Sequence, residues 1–189
     1  MNSESNSIFK PKIDIIPTVV TFHDDISKFS NQINSVIDSF DKDIAQSAWE
    51  KYYSFYRNEL ESHLKFEENV LFPALAVFGK EKDPVISSSA ERNQYRDLHK
   101  KLLHDHHNIR KTASNVFKLY KTDKDHLLPE SIEKIFHEMA ALMNIFNPHA
   151  KCENHEIIPL LKANETFAFI AGKLFLSYPD PYKERYRGK

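Results

Sequence analysis

The chain has 189 residues, 41% of them hydrophobic, and a formal net charge of −1. That suffices for one domain with a sizeable core and lacks the basic excess of a nucleic-acid footprint. Three glycines argue against an all-β fold, which needs many turn glycines.

A single cysteine, Cys152, excludes an internal disulfide and fits a reducing compartment. No long apolar run marks a leader or a membrane span, so a cytoplasmic protein without membrane contact is expected. Residues 1–12 are polar and read as a tail. Ile16, Val19, His23, Ile26, Ser30, Ile33 and Ile37 then step by three and four, a helical stripe with Pro17 in its first turn. A break is expected over Phe40–Asp43.

The second helix should run from about Ile44 to Phe78 with Trp49, Tyr53, Tyr56, Leu60, His63, Glu67, Val70 and Ala74 facing inward, and Pro73 kinking or ending it. A loop follows, with Gly79, Pro84 and three serines. The third helix, about Glu91 to Tyr120, carries Leu102, His106, Ile109, Ala113 and Val116 on one face. The fourth starts near Ser131 and aligns Ile132, Ile135, Met139, Leu142, His149, Glu153 and Ile157, with Pro148 expected to bend or split it. Residues 165–176 form a short apolar fifth helix, followed by a basic, aromatic tail.

Four long helices with short connections point to an all-α, antiparallel up-and-down four-helix bundle over 13–162, with a short extra helix and tail over 163–189.

Two stretches stand out. His63-Leu64-Lys65-Phe66-Glu67 and His149-Ala150-Lys151-Cys152-Glu153 share His, Lys and Glu, and each is followed by a proline ten residues after its His. His-x-x-x-Glu puts both groups on one helix face, a turn apart. Each stretch is preceded by a helix with one inward histidine, His23 and then His106, so the chain reads as two similar halves. Phase with Ile109, Ala113 and Val116 favours His106 over its neighbour His107.

Together the stripes present His23, His63, Glu67, His106, His149 and Glu153 to the middle of the bundle. A lone inward histidine is usually a hydrogen-bonded core residue, but six such groups would be costly unless they hold something. Two carboxylates from facing helices can bridge two cations about 3.5–4 Å apart, with two imidazoles on each. Mixed nitrogen and oxygen ligation favours Fe or Mn over Mg or Ca.

These residues, with Leu71-Phe72-Pro73 and Ile157-Ile158-Pro159, resemble the hemerythrin-like proteins with the His-His-Glu cation-binding pattern, over about residues 14–162. The resemblance implies two Fe ions, oxo- or hydroxo-bridged, with Mn or Zn as other possibilities. It also implies binding or sensing of dioxygen, nitric oxide or iron itself. Oxygen carriers of that kind have a further histidine four residues from the one on the third helix, where this chain has Leu102 and Arg110. The iron-centre repair branch carries an extra N-terminal domain with a Cys pair, which this sequence does not show.

Two other functions use the same ligands: a di-iron enzyme reducing peroxide or nitric oxide, and a metal-dependent regulatory protein engaging a protein partner, or another copy of itself, through its C-terminal segment. Glu-x-x-His and His-Glu-x-x-His are both absent, which removes ferritin-like oxidases and zinc proteases. Glu68, Asp24, Asp25 and Asp105 adjoin the candidate ligands and could orient them. His104, His107, His126, His137 and His155 read as lying outside the site, and His99 as supporting a ligand or lying at the bundle end rather than as a ligand itself.

Overall fold

The structure, a computed structural model, describes residues 14–39, 42–78, 89–123 and 129–178. Among these there is no strand. Helix α1 spans Ile16–Ser39. Helix α2 is assembled without a break from Lys42–Phe55, Tyr56–Leu60, Glu61–Phe66, Glu67–Leu71 and Phe72–Phe78. Helices α3 (Ser89–Asp123), α4 (Pro129–Ala163) and α5 (Glu165–Ser177) complete the bundle. The expected loop after Phe78, His126 and the tail beyond Tyr178 lie outside the described residues. None of the described helices is long and apolar enough to cross a membrane.

Two segments of α2, Tyr56–Leu60 and Glu67–Leu71, are π-helical. The Glu61 N–H donates to the Tyr56 carbonyl, and the Phe72 N–H to that of Glu67, each five residues back. The second wide turn ends just before Pro73, which has no N–H and crowds a regular preceding turn. The helix therefore passes Pro73 and ends only at Phe78. At the second wide turn Val70, Leu71 and Phe72 are all buried.

The extra residues also correct the expected stripe, since Tyr52 is buried and Tyr53 is exposed. Pro148 does not split α4. It is exposed, and the cost of a proline in a helix interior, about 3 kcal/mol from the lost hydrogen bond and the ring clash together, is tolerated between the buried anchors Phe146 and His149.

The α4 helix packs along both α3 and α1, and α1 also packs on α2. Two apolar clusters fill the interior. One gathers Ile26, Phe29, Trp49, Tyr52, Leu60, Ile109, Ile135, Met139 and Phe146. The other gathers Val19, Phe22, Phe66, Leu71, Phe72, Leu102, Ile157 and, from α5, Phe167 and Phe175. Helix α5 starts cleanly because the Asn164 side chain accepts the Phe167 N–H, an N-cap. Its packing against the end of α2 makes it part of the second cluster.

Candidate metal centre

All six candidate ligands meet in one layer between the two clusters. On each long helix they occupy the boundary: Phe22 and Ile26 flank His23, Leu102 and Ile109 flank His106, and Phe146 and Ile157 flank His149 and Glu153. His23 is 5% exposed, and the other five are 1% or less. His107, beside His106, is exposed, as are His104, His137 and His155. His99 is half-buried against the Phe72 ring, and Cys152 is half-buried.

The six groups divide into two sets that share both carboxylates: His23, His63, Glu67 and Glu153, and Glu67, His106, His149 and Glu153. In each set the ligand atoms lie within 4.8 Å of one another. Glu67 turns Oε1 to the first set, 3.1 Å from His63 Nε2 and 3.8 Å from His23 Nε2. It turns Oε2 to the second, 3.0 Å from His106 Nε2 and 3.7 Å from His149 Nε2. Glu153 divides its oxygens likewise: Oε2 is 3.1 Å from His23 Nε2 and Oε1 is 3.6 Å from His149 Nε2. Each carboxylate thus presents one oxygen to each pair of imidazoles, the arrangement that bridges two cations.

The outward nitrogens explain why the inward ones act as acceptors. The His106 Nδ1 lies 2.9 Å from Glu68 Oε1, and the His23 Nδ1 2.8 Å from Asn154 Oδ1. In the neutral ring, an N–H donating outward at these positions leaves Nε2 with its lone pair facing inward, ready for a cation in place of a proton. The His106 Nε2 then faces His149 Nε2 at 3.1 Å and Glu67 Oε2 at 3.0 Å, lone pairs against lone pairs. Adjacent ligands at about 2.1 Å from one ion stand about 3 Å apart, so the spacing suits a cation in common.

Buried polar atoms without a hydrogen-bond partner include His63 Nε2, Glu67 Oε1 and Glu153 Oε1. The first two are 3.1 Å apart, yet not aligned to bond each other. An orphaned buried polar atom normally costs about 1–3 kcal/mol, which a shared cation would remove. The donor set, four imidazole nitrogens and two carboxylates, fits a first-row transition metal pair.

Titration expresses the same crowding. Burial alone favours neutral His23, but Glu153 and Glu67 beside it raise its pKa to about 10. Burial lowers the His63 pKa to about 3, against the pull of Glu67. Burial would raise the Glu67 pKa, yet the surrounding imidazoles hold it well below the usual carboxylate range. Burial and the Glu67 charge push Glu153 up to about 7. Protons here occupy positions that a divalent cation would take.

The structure adds Arg110 and Asn154 to the orienting residues that the sequence offers, and sets Asp105 beside His149. Arg110, noted there only as a missing histidine, holds Glu68 and Glu61, with Nε 3.1 Å from Glu61 Oε2. Asp105 lies 3.6 Å from His149 Nδ1 and is itself held by Lys101. Asn154 had no signal: it follows Glu153, and its partner His23 lies on another helix. Asp24 is exposed, and Asp25 pairs with Lys28 at the surface.

No curated protein and no solved structure matches the chain. A family model does: the hemerythrin HHE cation-binding domain, over residues 14–161, nearly the whole bundle. That match covers every residue of the layer, and the chain belongs to the hemerythrin HHE cation-binding family.

Proposed function

We propose that this protein is a non-haem di-iron protein that binds or senses a small ligand, dioxygen or nitric oxide, or iron itself. His23 and His63 would hold one ion, His106 and His149 the other, with Glu67 and Glu153 bridging. The observation that carries this reading is the division of each buried carboxylate between the two imidazole pairs.

Iron is favoured over zinc because six protein side chains shared by two ions leave coordination positions open, which suits a redox-active pair that takes a further ligand. Manganese satisfies the same donors. The ions would supply a redox-capable binding point, and this chain's residues would do the rest. The Nε2 atoms and carboxylates fix the ions, Glu68 and Asn154 fix the ring tautomers, and the apolar clusters exclude bulk water.

A polar cleft of about 350 Å³ between α1 and α4 opens on this layer and has His23 in its wall. Small ligands and ions could reach the centre by it. Anaerobic reconstitution with Fe²⁺, followed by separate exposure to dioxygen and to nitric oxide, tests the reading. A stable spectral change on one gas, reversed on its removal, is the expected result. Steady consumption of peroxide or nitric oxide would replace binding with the enzymatic alternative. No iron uptake would overturn both.

A further inference from the structure

The two imidazole pairs are equivalent in ligands but not in what stands behind them. Behind His106 is a charged chain: its Nδ1 faces Glu68, and Arg110 binds both Glu68 and Glu61. Lys65 also stands 3.7 Å from Glu61, so two carboxylates and two cations balance behind His106, with the Glu68 carboxylate turned to the ring. Behind His149 stands the Asp105 carboxylate, 3.6 Å from Nδ1 and held by Lys101; this Nδ1 makes no hydrogen bond, so the carboxylate acts on the ring through its charge alone. Behind His23 there is only the neutral amide of Asn154. The His63 Nδ1 has no hydrogen-bond partner among the described residues, and the rings of Phe22 and Phe146 lie against the imidazole. A carboxylate behind a ligating imidazole fixes its tautomer and raises its basicity, and losing such a partner costs about 10–100-fold in metal affinity.

Access is unequal in the same sense. Of the six candidate ligands, only His23 lines the α1–α4 cleft. Asn154 lines it too, with Asp24 and Lys151 of opposite charge.

We infer that the two ion positions are unequal: the His106/His149 position binds its ion tightly and holds it, while the His23/His63 position holds its ion weakly and exchanges it through the α1–α4 cleft. This rests on the two-ion reading above. One permanent ion and one exchangeable ion suit a protein whose occupancy follows the supply of a divalent metal.

The test uses the full chain, metal-free, titrated under argon with Co²⁺ alone, whose visible absorption reports its coordination. The His23→Ala variant keeps the His106/His149 position, and His106→Ala keeps the other. The ion in His23→Ala should bind at least about tenfold more tightly than that in His106→Ala. Equal or reversed affinities would overturn the inference.

Release to a chelator from the wild-type chain should then show one fast and one slow ion. Asn154→Asp, which puts a carboxylate behind His23, should slow the fast phase about tenfold, and Glu68→Gln should speed the slow phase about tenfold. A single release phase, or a Glu68→Gln effect on the fast ion, would contradict the assignment. Release uses the intact ligand set, so it decides the matter if either alanine variant fails to fold. No Co²⁺ binding by the wild-type chain would overturn the two-ion reading itself, whereas two equal ions would overturn only the inequality.

Discussion

Apart from the Tyr52 hydroxyl, the two apolar clusters close on themselves, whereas the layer between them does not. In the clusters, side chains such as Leu60, Leu142 and Phe167 are fully buried against carbon and need nothing further. In the layer, buried nitrogens and oxygens crowd within 4.8 Å and several lack a hydrogen-bond partner. The contrast separates two kinds of stability in one bundle. The clusters hold the helices whatever the solution contains, while the layer is stable only when a proton or a metal ion balances its lone pairs and charges.

The sharpest way to break this contrast is to remove a bridge. Glu67→Gln takes the one carboxylate that faces all four imidazoles. It should destabilise the protein by about 3–5 kcal/mol and reduce bound metal to one ion or fewer. Denaturant unfolding and elemental analysis check the two parts, and unchanged metal content would remove the bridging role. Leu142→Ala, in the first cluster, should cost about 2–5 kcal/mol yet leave metal content intact. Loss of metal there would mean that the layer depends on cluster packing more than its chemistry suggests.

Removing the metal by chelation should lower the thermal midpoint by about 5–10 °C while the helical circular dichroism persists at room temperature, because binding at about a hundred times the dissociation constant adds about 2.7 kcal/mol. An unchanged midpoint would show the layer to be self-sufficient.

The pH dependence of the metal-free chain has a definite sign. Glu153, at about 7, lies above its ordinary 4.5, and His23, at about 10, lies above its ordinary 6.5. Their stabilising contributions are complete below those ordinary values and are lost as pH rises through about 7 and then about 10. His63, held down to about 3, acts oppositely and costs stability as pH falls below 6.5. The metal-free chain should therefore weaken between pH 7 and pH 10, while the loaded chain stays nearly flat. Metal uptake at pH 7 should release protons. Thermal melts across this range and calorimetry in two buffers measure both.

The smallest effect lies farthest from the layer. Asn164→Ala removes the α5 N-cap and should cost about 1 kcal/mol with no change in metal content. A loss of metal in this variant would tie α5 to the centre.

Much of this contrast was legible in the chain. A histidine interrupting an otherwise apolar stripe is visible by periodicity alone, and phase placed His106 inward and His107 outward. The expected helical bundle and the family resemblance hold. What periodicity missed has physical causes. The π turns add residues to α2 without a sequence signature, so Tyr53 was expected inside where Tyr52 lies. Pro148 does not split α4, because buried neighbours carry the helix through it. Asn154 and Arg110 act across helices, on partners far away in sequence, and no single-helix pattern reveals such pairs.

The most direct test of the central claim is the metal stoichiometry of the chain after anaerobic reconstitution with Fe²⁺ and removal of excess, measured alongside Glu67→Gln. The account predicts about two irons per wild-type chain and one or fewer in the variant. Two irons in both, or none in the wild type, would contradict it.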